Sequence, residues 1–407
     1  MIDDRPLGMD APAGDGARTI DWDARMASSP STQHNIVKPA NWRQHPYPFI
    51  TGQIDPALFP LNAWRDCSRQ TLAKSTISDW IEDSVADDDP LLIKEVRTRV
   101  LPRRGVQAAE DEILITKGAQ NGLFLLATPL MDQTTTVGLE NPGYVDAHNF
   151  FANREAKLKA LPLDDRGLVV GHRLHGCDYL YVTPSHQSPT TVTMSLERRL
   201  ALLEQAAARN IVVIEDDYEP EANYLGQPTT ALKSLDNTGR VIHIGSFSKA
   251  LAPGLRMGYL VAAPALIREA RALRRLMLRH PPGNNQRTVA LFLRERHYDA
   301  LVHRLQRLYR ERWEIMGAAP ARLMPDAARV PAFGGTSYWV TGPARLDADK
   351  LAATALKDGI IIEPGAIHFL DRRPPRNCFP LGFSAIPTEP IEPGLERLAG
   401  LISSASR

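Results

Sequence analysis

The sequence has little cysteine: Cys67, Cys177 and Cys378 stand far apart in 407 residues and form no C-x-x-C pair. That argues against a disulfide framework and against a cysteine-based zinc site, and it fits a reducing compartment. It also lacks an excess of charge of either sign. The 48 basic and 47 acidic side chains leave a net charge of +1, which gives no pull toward nucleic acid, membrane surfaces or polyanions. No apolar run reaches the roughly 18 residues that a membrane-spanning helix needs. The opening MIDDRPLGMDAPAGDG is acidic and Gly/Pro-rich where a signal peptide would be basic and then apolar. A cytoplasmic protein without metal is therefore expected.

What is present is an ordinary globular composition, 43% apolar and 23% charged, over a length that can bury a large core. Residues 1–45 are polar, Pro-rich and poorly periodic, and read as a mobile arm. From Pro46 short apolar runs alternate with helical stretches. The runs are ILIT (113–116), TTVGL (135–139), YLYVTP (179–184), IVVIEDD (211–217), VIHIGSFS (241–248) and GYLVAA (258–263). Helical patterns at 118–130, 195–209 and 266–279 lie between them. This alternation predicts an α/β fold with a mostly parallel, doubly wound sheet covered on both faces. Beyond Arg287 long amphipathic helices (287–318) give way to strands (SYWV, IIIE, CFPLGF) and helices at 347–357 and 391–403. The expected division is a large domain over 46–300 and a smaller C-terminal α+β domain over 301–407.

Five segments carry chemistry. In GSFSKALAPGLRMGY (245–259) a strand runs into a turn bearing Ser246, Ser248, Lys249 and Arg256. A lysine at a strand's end can project into a cleft, where desolvation makes it a neutral amine nucleophile. The two hydroxyls and the guanidinium can grip a phosphate. A lysine after a serine would by itself be read as a solvated loop residue; the whole string argues otherwise. In VIEDDYEPE (213–221) two acids follow a buried strand, at the edge where open α/β sheets bind ligands. Asp216 is chosen as the carboxylate that pairs with a pyridinium nitrogen, and Tyr218 as a donor to a phenolic oxygen. Acids here could equally cap the next element. ITKGAQNGLFLLATPL (115–130) places Gly118, Ala119 and Gln120 at a helix N-terminus, which suits a phosphate. Alone it is weak, since most such glycines only turn the chain. In ENPGYVDAHNFF (140–151) Tyr144 could stack on a flat heterocycle. VTPSHQSPTT (182–191) offers Ser185, His186 and Gln187 at a strand end, with the histidine more readily structural than catalytic.

In this order and at these spacings the five segments resemble the fold type I pyridoxal-phosphate (PLP) enzymes, the aspartate aminotransferase superfamily. More narrowly, TPSHQ-x-P, IEDDY and SFSK-x-L-x-PGLR-x-GY resemble the aminotransferase-like domain of the MocR regulators and their stand-alone relatives. LQRLYRERWEIM (305–316) and the tail at 381–402 resemble its later helices, so the likeness covers roughly 46–403. It implies pyridoxal 5'-phosphate as cofactor, held as a Schiff base by Lys249. It further implies Asp216 on the pyridine nitrogen, Tyr218 on the phenolic oxygen and Tyr144 against the ring. Gly118, Ala119, Gln120, Ser246, Ser248 and Arg256 would hold the phosphate, with Ser185 also counted among the cofactor-binding residues. A homodimer with interfacial active sites and a small amino substrate are implied, with no nucleic acid or membrane partner.

Three departures from the family's pattern bear on function. MocR regulators place a winged-helix DNA-binding domain ahead of this core, and the 45 or so residues here are too few for one. The arginine that usually precedes LGF and clamps the substrate carboxylate is replaced by Pro380, with Arg372, Arg373 and Arg376 nearby as candidate substitutes. The family's PTG ends as Thr190-Thr191, and Asp146 stands in the stretch where a related arginine often follows PGY. The expected function is a PLP-dependent aminotransferase. The alternatives are a biosynthetic PLP enzyme catalysing elimination, replacement, carbon–carbon bond formation or oxidation, and a PLP-sensing regulator.

Overall fold

The computed structural model describes residues 20–224, 230–323 and 334–405. Two compact units divide the chain, Met1–Gln33 and His34–Arg407. The second carries the strands, β1 (Tyr47–Pro48), β2 (Ile113–Thr116), β3 (Thr136–Asn141), β4 (Lys157–Asp164), β5 (Gly167–Leu168), β6 (Tyr179–Val182), β7 (Val212–Asp217), β8 (Val241–Ser246), β9 (Gly258–Val261), β10 (Ser337–Thr341), β11 (Ile360–Ile361) and β12 (Cys378–Gly382). The eight strands β2 to β9 form one sheet in the order β2-β9-β8-β7-β6-β3-β4-β5. Strands β4, β3, β6, β7 and β8 run parallel; β9 is antiparallel to both β8 and β2. The expected mostly parallel α/β sheet is therefore present.

Strands β2, β7, β8 and β9 are buried along nearly their whole length because helices cover both faces, and that is why they read as unbroken apolar runs. On one face Ile214, Ile244, Leu260 and Leu139 pack under helices Ala119–Leu130, Val145–Ala152 and Pro264–Leu278. On the other, Leu180, Val182, Val213 and Val241 pack under helix Leu196–Ala208. Neighbouring residues of one strand thus enter different cores, as the period of two requires.

A second layer is built from distant parts of the chain. Strand β1 pairs in parallel with β11, and β10 pairs antiparallel with β12. The Gly382 amide donates to the Phe49 carbonyl at 3.1 Å, which sets residues 47–50 against the C-terminal strands. Helix Gly283–Arg294 is followed by helix His297–Leu323, so the amphipathic stretch predicted at 287–318 is two helices. The three cysteines are buried and free. Among the described residues no helix is long and apolar enough to cross a membrane.

Candidate active site

Because β9 runs antiparallel to both of its neighbours, β2 points the same way as β8. The carboxyl ends of β2, β3, β6, β7 and β8 therefore meet at one edge, where open α/β sheets bind ligands. A cavity of about 430 Å³ opens there. Lys249, Asp216, Tyr218, Tyr144, Ser246, Ser248, Arg256, Ala119 and Gln120 all line it, so segments more than a hundred residues apart in sequence converge on one space.

The sheet register separates the two adjacent acids of β7. Asp217 lies on the Val213 face and accepts from Arg104 Nε at 2.7 Å, an ion pair that holds its carboxyl down near 2 against the cost of burial. Asp216 lies on the Ile214 face and lines the cavity. Tyr181 pairs with Ile214 in register, two residues before Asp216, and its hydroxyl donates to Asp216 Oδ2 at 2.8 Å. Oδ1 of Asp216 is buried without a hydrogen-bond partner, and burial pushes the carboxyl up to about 6. The site therefore presents a buried carboxylate oxygen that a cation or an N–H donor would satisfy.

Lys249 Nζ lies 5.6 Å from the centroid of the Tyr218 ring. Burial holds its amine below the ordinary lysine range, partly opposed by Glu219 and Asp216 and reinforced by the charge of Lys38. Gly52 comes against it with φ +72°, and a Cβ there would lie 2.9 Å from Nζ. Tyr218 is kept in its protonated form by burial and by the neighbouring Glu219, itself held by Thr336 Oγ1 at 2.7 Å.

The third feature is an anion cradle. Gly118, at φ +84°, caps helix Ala119–Leu130, whose first two residues, Ala119 and Gln120, line the cavity. A Cβ on Gly118 would come 3.3 Å from Arg256 Nη2, so the bare backbone lets the guanidinium approach the helix end. Ser248 Oγ is buried without a partner, while Ser246 Oγ accepts from the Ser248 amide at 3.2 Å. Arg256 Nη2 donates to Gln120 Oε1 at 3.3 Å, and Gln120 in turn donates to Asp146. Asp146 also accepts from the Tyr144 hydroxyl at 2.8 Å, which fixes that ring at the cavity wall.

Most of the segments that line the cavity fall within the range matched by a known family. The profile of aminotransferase class I and II matches residues 89–398. The chain belongs to that family. It is 42% identical over 385 residues to the HTH-type transcriptional regulator TauR of Rhodobacter capsulatus, covering 95% of this chain and 79% of that protein. To the probable rhizopine catabolism regulatory protein MocR of Rhizobium meliloti it is 28% identical over 352 residues, 86% of this chain and 71% of that one. The kynurenine aminotransferase of Pyrococcus horikoshii superposes with a TM-score of 0.84 at 26% identity, over 95% of this chain and 98% of that one.

The cofactor of this aminotransferase family is pyridoxal 5'-phosphate. The residues present fit it. The unpartnered Asp216 Oδ1 suits a protonated pyridine nitrogen, the unpartnered Ser248 Oγ and the capped helix end suit a phosphate, and Lys249 supplies a buried amine.

Some expected residues lie elsewhere. Ser185 is not among the lining residues; its hydroxyl accepts from Arg104 Nη2 at 2.8 Å, in the cluster built around Asp217. Its neighbours Thr183 and Ser188 line the cavity instead. His186 is buried away from the lining, with its pKa pushed down to about 4 by desolvation. Gln187 donates to the Pro142 carbonyl at 2.9 Å and holds the loop. The candidate substitutes for the missing carboxylate clamp are also absent from the lining. Arg376 pairs with Asp347 and Asp349 at the surface, and Arg372 and Arg373 are exposed. Pro380 is buried in β12 opposite Trp339.

Several lining residues were not anticipated: Tyr181, Thr51, Gly52, Gln53, and Asn35, Ile36 and Lys38 from the stretch read as an arm. Tyr181 carried a signal, since a tyrosine inside a buried strand needs a partner for its hydroxyl. Lys38 carried none, because nothing local tells that a polar, aperiodic segment returns to the site.

Proposed function

We propose that this chain is a pyridoxal-phosphate-dependent aminotransferase acting on an amino acid, with Lys249 as the residue that bears the cofactor. The observation that carries this reading is the pairing of a buried amine, Lys249, with the unpartnered Oδ1 of Asp216 in one cavity that also holds an anion cradle. Bound there, the cofactor would supply an electron sink for the carbanion formed next to the substrate nitrogen.

The chain's own groups do the rest. Lys249 Nζ, whose basicity burial lowers, would take the proton from the substrate's α-carbon as a base and deliver it as an acid to the carbon on the other side of the substrate nitrogen. Asp216 would keep the ring nitrogen protonated through its unpartnered Oδ1. Tyr181 holds Asp216 in place. Tyr218 would donate to the phenolic oxygen and Tyr144 would cover the ring, while Ser246, Ser248, Arg256 and the amides of Ala119 and Gln120 would anchor the phosphate. The working form is a cytoplasmic homodimer.

The test is spectroscopic. Adding amino acids to the purified holoprotein should convert its chromophore to the pyridoxamine form, with the matching keto acid found by mass spectrometry. No conversion across a broad panel would count against transamination, and a product that retains its amino group would select elimination, replacement or oxidation instead. Lys249→Ala should abolish the borohydride-reducible adduct; an adduct that persists would remove Lys249 from its role. The likeness to TauR supports a second reading, a regulator that senses an amine through the same cofactor. A salt-sensitive DNA shift at physiological ionic strength, without turnover, would select it.

A further inference from the structure

From the charges that line the cavity we infer that Lys38 is the cation that binds the carboxylate of an amino-acid substrate, in place of the arginine that Pro380 displaces. The inference rests on the aminotransferase reading and names the substrate group recognised at that site.

Three cationic side chains line the cavity among the described residues: Lys249, Arg256 and Lys38. Lys249 is the buried amine of the reaction centre, and Arg256 stands at the helix end on the phosphate side. Lys38 is left facing the substrate space. Its side chain is 23% exposed, its charge is felt at Lys249, and Ile36, Thr51 and Gly52 share its part of the wall.

Glu363 stands behind it. Lys38 Nζ lies 2.7 Å from Glu363 Oε1, and Glu363 is nearly fully buried and is not itself part of the lining. The other carboxylate oxygen accepts from the Thr51 amide at 2.9 Å and the Thr51 hydroxyl at 2.7 Å. Glu363 is thus fixed from its far side to the segment that brings Gly52 against Lys249. A buried carboxylate in this position attracts the ammonium and holds it at this end of the cavity. An ammonium has three N–H donors. Lys38 Nζ sits at ion-pair distance from Glu363 Oε1 without a hydrogen bond to it, which leaves its donors to an anion in the cavity.

An ammonium acts as a compact point charge, whereas the guanidinium fork it would replace reads a carboxylate with two parallel bonds. The site therefore holds the acid group of an amino acid with looser geometric demands than an arginine clamp. An amine without an acid group gains nothing from Lys38.

The test uses holoprotein and two ligands that share one side chain: 3-phenylpropionate, which has the carboxylate but no reactive nitrogen, and 2-phenylethylamine, which has the nitrogen but no carboxylate. Cofactor absorbance reports binding of each. Removing Lys38 alone would leave Glu363 to repel an acid, so the deciding variant is Lys38→Met with Glu363→Gln, compared with Lys38→Arg. In the double variant the dissociation constant for 3-phenylpropionate should rise by about tenfold or more, the size of a lost charge-assisted contact. That for 2-phenylethylamine should stay within about threefold, and Lys38→Arg should retain the acid. Unchanged acid binding in the double variant, or a parallel loss of both ligands, overturns the assignment, as does a wild-type protein that binds the amine and not the acid. Because 3-phenylpropionate does not react, this arm reads out even if no amino acid is ever transaminated.

Discussion

Asp216 and Asp217 are chemically identical neighbours, and the sheet gives them opposite fates. One faces Arg104 and is ionised at any ordinary pH; the other faces the cavity with an oxygen unpartnered. The second condition is costly in the absence of cofactor. Burial places the folded-state pKa of Asp216 at about 6, above its ordinary 3.8, so the folded protein binds a proton more tightly than the unfolded chain does. The carboxylate therefore lowers stability progressively as pH rises from about 4 through 6, and the full cost is present above that. Asp216→Asn keeps an acceptor for Tyr181 and removes the charge. In the cofactor-free protein it should raise stability at pH 7.5 by on the order of 1–3 kcal/mol, with the gain vanishing near pH 4. In the holoprotein it should lower turnover by about a hundredfold or more. Urea melts of the cofactor-free pair at both pH values check the first statement; a gain independent of pH would refute it. Lys249, Asp216, Tyr218, Tyr144 and Arg256 were grouped from the sequence, and all five line one cavity. Ser185 does not line it, since a turn-rich loop does not say which hydroxyl faces inward. At the Thr190-Thr191 departure, Thr191 holds φ +60°, a left-handed conformation that glycine adopts more readily, and packs against Gly335.

At the scale of elements, strands buried on both faces announce themselves as apolar runs, and β2, β3, β6, β7, β8 and β9 were read that way. Strand β4 escaped because KLKALPLD is only partly buried near the sheet's edge, with lysines and a proline inside it. The pairing of β1 with β11 escaped because two-residue strands brought together from opposite ends of the chain leave no periodicity to detect. Helix Pro264–Leu278, by contrast, was legible, but not what fastens it. Arg274, fully buried on that helix, donates to Asp88 Oδ1 and to the Ile115 carbonyl at 2.5 Å each and to the Ala86 carbonyl. It thereby ties the helix to β2 and to the chain before helix Pro90–Glu95. Arg271 gives Asp88 a second, partly exposed partner at 3.0 Å. Arg274→Met should cost about 3 kcal/mol, because it takes from buried Asp88 its fully buried partner, leaving the partly exposed Arg271 and the Ile115 amide, and removes a donor from two carbonyls. Asp88→Asn in the same background should recover part of the loss. Urea midpoints of the two variants decide it: if the second substitution lowers stability further, the pair is not what fastens the helix.

At the scale of the molecule, the cavity is where separate stretches of chain close on one another. Residues 35–53, 119–120, 144–146, 181–188, 216–218 and 246–256 each contribute a piece of its wall. None of these pieces holds a cofactor by itself, so binding is linked to the folded arrangement of them all. A ligand that binds only the folded state stabilises it by about 2.7 kcal/mol at a hundred times its dissociation constant. Saturating pyridoxal 5'-phosphate should accordingly raise the Tm of the cofactor-free protein by several degrees. The contributions should then divide by anchor. Lys249→Ala removes the covalent link but leaves the phosphate cradle, so a smaller, concentration-dependent rise should remain. Arg256→Met with Ser248→Ala weakens the cradle while leaving the amine, so its rise should also fall short of wild type. Combining all three changes should remove the shift. If Lys249→Ala alone removed it entirely, the helix end, Ser248 and Arg256 would not form the anion site described. If the triple variant kept it, pyridoxal phosphate would be stabilising the protein from somewhere other than this cavity.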